Sequence, residues 1–355
     1  MRGGRIRGQG TYGCVFQPAL LCRGTNGKAF DANKVGKITS PEDAHNELEI
    51  AKYLESLANS STYTLAPESQ GCVPKTRSKQ TDKDIELCEF SSDTKIEETV
   101  QLIMPWGGYP LSRINLDPHT FNFFKFTEDI LAIGSFILLN DICHFDVWGQ
   151  NFLFDNKNSP KLIDFGFAFR PSKLQQSDLR MRWRQMAVDH DTETPEVTLM
   201  LASQQGIPIS ETITGLQRQK PGVQRLAALC GILPSEWAKG IHSWSQKSQS
   251  FQQKDWLACW KVYWPGFDAW AIGVLLLQVF EIQVAIPEFH NSTMWKAKSS
   301  LIKKVIIGLC RSHPAERLDT AEALFMLTDG SHPLIAAGSV GNGWVMEKQS
   351  RRPAV

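Results

Sequence analysis

No two of the eight cysteines in this 355-residue chain stand as C-x-x-C. That absence argues against a zinc site, the scattered spacing argues against a disulfide framework, and a reducing compartment is expected. Net charge is nearly absent as well. The chain has 38 Lys and Arg against 37 Asp and Glu, a formal +1, too little for a nucleic-acid protein held by bulk positive charge. The local basic patch Arg180–Arg184 (RMRWR) reads as a stretch of loop, so no nucleic-acid partner is expected. The start of the sequence lacks the apolar stretch of a signal peptide, and no internal repeat is visible. The apolar segment Phe267–Phe280 is a poor membrane span, because Asp268, Gln278, Glu281 and Gln283 interrupt it within the ~20 residues a crossing needs. No membrane partner is expected. What the chain does have is 42% hydrophobic residues, ample for a core.

The most informative polar residues lie in two short segments, HFDVWGQN (His144–Asn151) and IDFG (Ile163–Gly166). Asp146 precedes Asn151 by 5 residues and Asp164 by 18. Strand-like runs, Phe152–Phe154 and Lys161–Ile163, lie between them. Phosphoryl transfer needs a carboxylate to orient the attacking hydroxyl and hard oxygen ligands to hold magnesium on nucleotide phosphates. Asp146 suits the first task, and Asn151 and Asp164 the second. Positioning and charge neutralisation carry most of such catalysis.

The N-terminal region is rich in glycine. Gly8, Gly10 and Gly13 form G-x-G-x-x-G, with Val15 two residues on. Glycine lets backbone amides approach phosphates closely. A dinucleotide fold carries the same letters but needs a helix directly afterwards. Here Cys14–Gln17 is strand-like and Pro18 breaks it, which predicts a strand–turn–strand hairpin. Gly24–Lys28 (GTNGK) lacks the Walker spacing, and Asn26-Gly27 reads as a hairpin turn.

The next strand is expected at Ala32–Thr39, with Lys37 preferred over Lys34 as the phosphate-contacting lysine because Val35 and Lys37 share one face. A helix is expected from Pro41 to about Ala58, capped by Ser40 with Asp43 three residues on. Leu48, Ala51, Leu54 and Leu57 form its apolar stripe. Glu47 is assigned as the partner of Lys37, with Glu49 as the fallback. The polar region Glu68–Glu98 is expected to loop around a short strand at Glu86–Phe90, and Phe121–Asn140 reads as a buried helix.

Together these segments resemble the eukaryotic-like protein kinases. The resemblance covers most of the chain. The spacing of Cys14–Cys22 (CVFQPALLC) is similar to protein kinases of large double-stranded DNA viruses, which implies a cytoplasmic location, in the host cell or the virion. The implied fold is α+β and bilobal, with a small β-rich lobe at 1–112, a larger helical lobe at 113–335 and a mobile tail at 336–355. The implied cofactors are ATP and Mg2+, and the implied partner is a protein substrate of a monomeric Ser/Thr kinase. By the resemblance, Asp146, Lys37, Asn151 and Asp164 would be catalytic, with Asn151 and Asp164 on the metal. Gly8, Gly10, Gly13, Val15, Val35, Lys37, Glu47, Met104, Trp106 and Leu153 would surround the nucleotide, Gln101–Leu111 forming the last strand and hinge. Asp268, Trp270 and Gly273 resemble the family's bracing motif, and Arg317 would pair with Glu196 of TPEV (Thr194–Val197).

Three departures stand out. Phe145 replaces the arginine that usually pairs with an activation-loop phosphate, so activation by loop phosphorylation is not expected. Trp148 replaces a lysine that touches the transferring phosphate, which leaves a pseudokinase acting as a binding or structural module and a small-molecule kinase of the same superfamily as alternatives. Glu196 and Asp268 lie 72 residues apart, where the family uses about a dozen. The excess, about 198–266, holds Trp237, Trp244, Trp256, Trp260 and Trp264. It is expected to fold, with its indoles either serving a partner or substrate or packing inward.

Overall fold

The computed structural model describes residues 4–10, 13–24, 32–80, 84–91, 95–183 and 185–351. It is an α+β chain with a small antiparallel sheet region and a mostly helical remainder. Two compact units divide it. One holds the described residues up to Pro110 together with Phe152–Ala168; the other holds Leu111–Asn151 and the described residues from Phe169 on. The expected boundary at 112 lies beside the observed one. Residues 152–168, expected in the larger part, group instead with the smaller, because their strands and Asp164 find their partners there.

In the smaller unit, β1 (Arg5–Gly10), β2 (Gly13–Gln17), β3 (Lys34–Thr39) and β4 (Val100–Pro105) form an antiparallel sheet in that order. Gly13 is required by close approach, since a Cβ there would lie 2.0 Å from the Ile38 carbonyl oxygen. Strand alternation separates two faces. Cys14, Phe16 and Ile38 bury one with Leu20, Ile85, Cys88 and Ile96. Val35, Leu102 and Met104 bury the other against Ala44 of α1 (Pro41–Glu55), with Val15, Leu48 and Trp106 packed beside them. Helix α1 starts as expected, the Ser40 hydroxyl accepting from the Asp43 amide at 3.1 Å. It ends three residues short of Ala58, so Leu57 lies beyond it, and Ala44, Glu47, Ile50, Ala51 and Leu54 face inward. A short α2 (Ser60–Tyr63) follows. A second sheet, β5 (Tyr109–Pro110), β6 (Phe152–Phe154) and β7 (Pro160–Leu162), completes the unit, β7 lying one residue earlier than expected.

Two expectations fail in this unit. Residues Asp84–Leu87 and Glu89–Ser91 form 3-10 turns rather than a strand. Ile85 and Cys88, three apart, both enter the core while Leu87 stays exposed, which is the period of a 3-10 turn. Two disulfides are present, Cys14–Cys88 and Cys22–Cys72, with Cα separations of 6.1 and 5.9 Å. Their partners lie 74 and 50 residues apart in sequence, so only the folded sheet brings them together. They remove the ground on which a reducing compartment was expected. The Asn26-Gly27 turn lies outside the described residues.

The larger unit is built around two apolar helices. α3 (Phe123–Leu139), capped by Asn122, is buried along most of its length. α10 (Pro265–Val284) is the described helix long and apolar enough to cross a membrane, and 78% of its apolar window is buried. Gly134 lets α3 approach α10 and α13 (Thr320–Thr328), since a Cβ there would sit 2.6 Å from Ile272 and 2.7 Å from Thr320. The long insertion folds as α4 (Pro195–Gln204), α5 (Ile209–Gln219), α6 (Pro221–Cys230), α7 (Pro234–Lys247), α8 (Gln249–Gln252) and α9 (Trp256–Tyr263). Pro195, Pro221, Pro234 and Pro265 open their helices, where a missing N–H costs nothing. After α10 come α11 (Pro287–Asn291) and α12 (Thr293–Leu309).

The expected mobile tail is instead a docked helix, α14 (Val340–Arg351). Gly341 and Val345 are buried on one face, and the Trp344 indole donates to Asp319 Oδ2 at 2.8 Å. A composition rich in Gly, Ser and Arg hid this pair of inward positions. Residues 352–355 lie outside the described residues.

Candidate functional site

In the smaller unit, strand alternation points Lys37 to the same face as Val35. Its Nζ lies 2.8 Å from Glu47 Oε2 on α1 and 2.6 Å from Asp164 Oδ1. The competing Lys34 pairs with half-exposed Glu68 instead, and Glu49 is exposed on α1. Burial alone would lower the Lys37 pKa, but the charges of Glu47 and Asp164 and their hydrogen bonds outweigh it and raise it. The ammonium is therefore a fixed positive charge. Asp164 has φ 63° and ψ 71°, a left-handed conformation unfavourable for most residues. The residues that follow hold it there: Phe165 is fully buried, and Asn46 Nδ2 donates to the carbonyls of Gly166 at 2.6 Å and Ala168 at 3.1 Å. Sequence reading missed Asn46, whose only signal is its place beside Glu47.

The other residues expected around a nucleotide gather in the same unit. Val15, Val35, Met104 and Trp106 belong to one apolar cluster. Leu153 on β6 packs against Gly107, where an added Cβ would lie 2.8 Å from its Cδ1. Among the described residues, a Cβ at Gly8 or Gly10 would meet nothing within 4 Å, so their packing does not require glycine at these two positions.

In the larger unit, the loop from His144 to Asn151 is braced from below. Asp268 on α10 accepts the His144 amide at 2.6 Å through Oδ2 and the Phe145 amide at 2.8 Å through Oδ1. Burial pushes the Asp268 carboxyl pKa up, against the opposing pull of nearby His144 and the two amides. Phe145 is left-handed, φ 61°. Asn151 Nδ2 donates to the Asp146 carbonyl at 2.8 Å and its Oδ2 at 3.2 Å. Trp148 is 46% exposed.

Asp164 carboxylate and Asn151 amide oxygens are hard donors of the kind magnesium takes. Among the described residues, no group of three or more His, Cys, Asp or Glu gathers as a metal cage. Magnesium carried on a nucleotide needs only one or two protein ligands, with phosphates and water supplying the rest, and an oxygen donor of that kind is present in each unit, Asp164 in the smaller and Asn151 in the larger.

No protein-family model matches the chain, and none of the curated proteins matches it.

The remaining expected contacts also fall within the larger unit. Arg317 grips Glu196 with both prongs, Nη1–Oε1 at 2.7 Å and Nη2–Oε2 at 2.8 Å. The Trp270 indole donates to the Asp191 carbonyl at 2.9 Å, and Gly273 lets Cys310 approach. Lys220, fully buried, donates to the His190 carbonyl at 2.7 Å. Burial pulls its pKa down to about 8. With Asp191, which accepts from the Gly222 amide and Arg225, it ties the insertion to the segment before Glu196. Sequence reading missed both, because their partners lie about thirty positions away and no motif marks them. Trp237, Trp244, Trp256 and Trp260 are buried and Trp264 is half-buried, since apolar area of that size packs inward when helices provide a core.

Lys37 and Glu47 give a direct test of the smaller unit's polar centre. Lys37→Ala and Glu47→Ala should each destabilise the protein in denaturant unfolding, and the double variant should lose less than their sum by about 1–3 kcal/mol. Strict additivity would break the pair.

Proposed function

We propose that this chain is an ATP-dependent protein kinase with the bilobal kinase architecture, transferring the γ-phosphate of Mg-ATP to Ser or Thr hydroxyls. The observation that carries the reading is Lys37 Nζ held between Glu47 and Asp164, residues 10 and 127 positions away. A neutral turn or a solvated strand lysine needs no such convergence. Lys37 would neutralise nucleotide phosphates, with Glu47 fixing its direction. Val15, Val35, Met104, Trp106 and Leu153 would cover the base. Asp146 would accept a hydrogen bond from the attacking hydroxyl and align it, while Asn151 and Asp164 would hold magnesium. The bound ion supplies charge neutralisation on the phosphates.

Magnesium-dependent binding tests the reading first. Mg-ATP should raise the melting temperature, and Asp164→Asn should remove most of that rise because it deletes an anionic ligand. Labelled phosphate should then pass to a generic protein acceptor. Absence of any magnesium-dependent shift would refute the proposal. A second reading, a nucleotide-binding module without transfer, is favoured by the exposed indole of Trp148, which cannot supply the charge of a lysine. It predicts the shift without the transfer.

A further inference from the structure

The aromatic cluster around Phe145 is larger than a loop residue requires. Trp260 of α9 lies at its centre and is fully buried. Its ring centroid is 4.8 Å from Phe145, 5.4 Å from Phe169, 5.3 Å from Phe267 and 5.7 Å from Trp183. Arg182 adds its guanidinium over the Phe169 ring at 4.7 Å. Phe169 is itself fixed to the loop's entrance by paired backbone hydrogen bonds with Cys143, 3.0 and 2.9 Å. Every one of these groups belongs to the larger unit.

Phe145 needs such support. An aromatic residue in the left-handed region persists only where its surroundings over-determine it. Asp268 holds the Phe145 amide, while the Phe145 ring packs against Trp260 at 4.8 Å, Phe267 at 5.8 Å and Phe169 at 6.0 Å. Trp260 is the nearest of these rings and itself touches the other two. The next residue in the chain is Asp146, so the orientation of Phe145 sets the direction from which the Asp146 carboxylate leaves the backbone. The indole is not retained for its N–H, because Trp260 Nε1 is buried with no hydrogen-bond partner among the described residues. A buried donor without an acceptor is a cost, and what Trp260 contributes is ring area.

The geometry points to Trp260 as a positioning residue for Asp146, acting through Phe145: the helical insertion is part of what sets the reactive loop. The inference rests on the reading of Asp146 as the hydroxyl-orienting carboxylate. It gives the insertion a task that does not require its indoles to be exposed.

Two measurements on the full chain test it. In W260A, hydrogen exchange of the peptide spanning His144–Asp146 should speed up by about tenfold or more, while that of Lys37–Glu47 stays as in wild type. In steady-state transfer, W260A should lower kcat by roughly 10–100-fold with little change in KM for ATP, because Lys37 and Asp164 are untouched. W260F, which keeps a ring and drops the unpaired N–H, should restore both. If W260A does not fold, W260L and F145L carry the same comparison. Unchanged exchange at His144–Asp146 would overturn the proposal whether or not the protein transfers phosphate. Faster exchange with unchanged kcat overturns the catalytic part of it. Faster exchange in a chain whose wild type transfers no phosphate supports the hold of Trp260 on the loop and refutes the kinase reading instead.

Discussion

Asp146→Asn should remove about 10²–10⁴-fold of phosphotransfer and leave the fold and Mg-ATP binding almost unchanged. The asymmetry follows from where the residue sits. Asn151 Nδ2 bonds the Asp146 backbone carbonyl at 2.8 Å, a contact the substitution does not touch, and an asparagine oxygen can still accept the weaker side-chain bond now made at 3.2 Å. The loop's backbone is held by Asp268 through His144 and Phe145, also unaffected. On the proposed reading, what disappears is the negative charge that would make the carboxylate a good acceptor for a substrate hydroxyl. Melting temperature with and without Mg-ATP, followed by single-turnover transfer, separates the effects. Wild-type transfer rates in Asp146→Asn would remove Asp146 from the reaction. A collapse in melting temperature would make it a structural carboxylate.

Local signals in the sequence carried much of this site, and the reason is visible residue by residue. Ser40 caps α1 through a bond to a residue three positions away, and β6 occupies Phe152–Phe154 as expected, because alternation and capping are properties of a few consecutive residues. The choice of Lys37 over Lys34 needed only the two-residue period of a strand. Glu47 as the partner of Lys37 was legible through resemblance, but Asp164 was read only as a magnesium ligand, and its contact with Lys37, 127 residues away, was not foreseen. Where no motif marked a distant partner, reading failed. Cys14 and Cys88 face each other because β2 and the 3-10 turns share one core, and no spacing rule contains that information. α14 was hidden for a related reason: its buried face is only Gly341 and Val345, and its docking depends on Asp319 accepting from the Trp344 indole. The insertion's tryptophans were visible as a count, but their direction was set by helices α4–α9 packing together.

Arg317→Ala should destabilise the protein by about 3–5 kcal/mol, a fall in melting temperature of roughly 5–20 °C. Both charged groups are wholly withdrawn from solvent, at 0% side-chain exposure each, so screening does not weaken the pair. At least four of the five guanidinium N–H donors are engaged. Two prongs meet Glu196, Nη1 also donates to the Gly266 carbonyl at 3.0 Å, and Nε donates to the Arg311 carbonyl at 2.8 Å. It also lies 5.5 Å from the Trp270 ring centroid. Truncation therefore strands a carboxylate and two carbonyls in a site water does not reach, which is the costly way to break a buried pair. The converse experiment separates pairing from packing. Replacing both partners, Glu196→Leu with Arg317→Met, removes the stranded charge, so the double variant should be more stable than Arg317→Ala alone. Urea unfolding of wild type, both single variants and the double variant measures this directly. A loss below about 1 kcal/mol in Arg317→Ala would mean that the side chain is solvated after all. A double variant as unstable as the sum of the singles would show that α4 and the segment before α13 are joined by shape, with the charges contributing nothing.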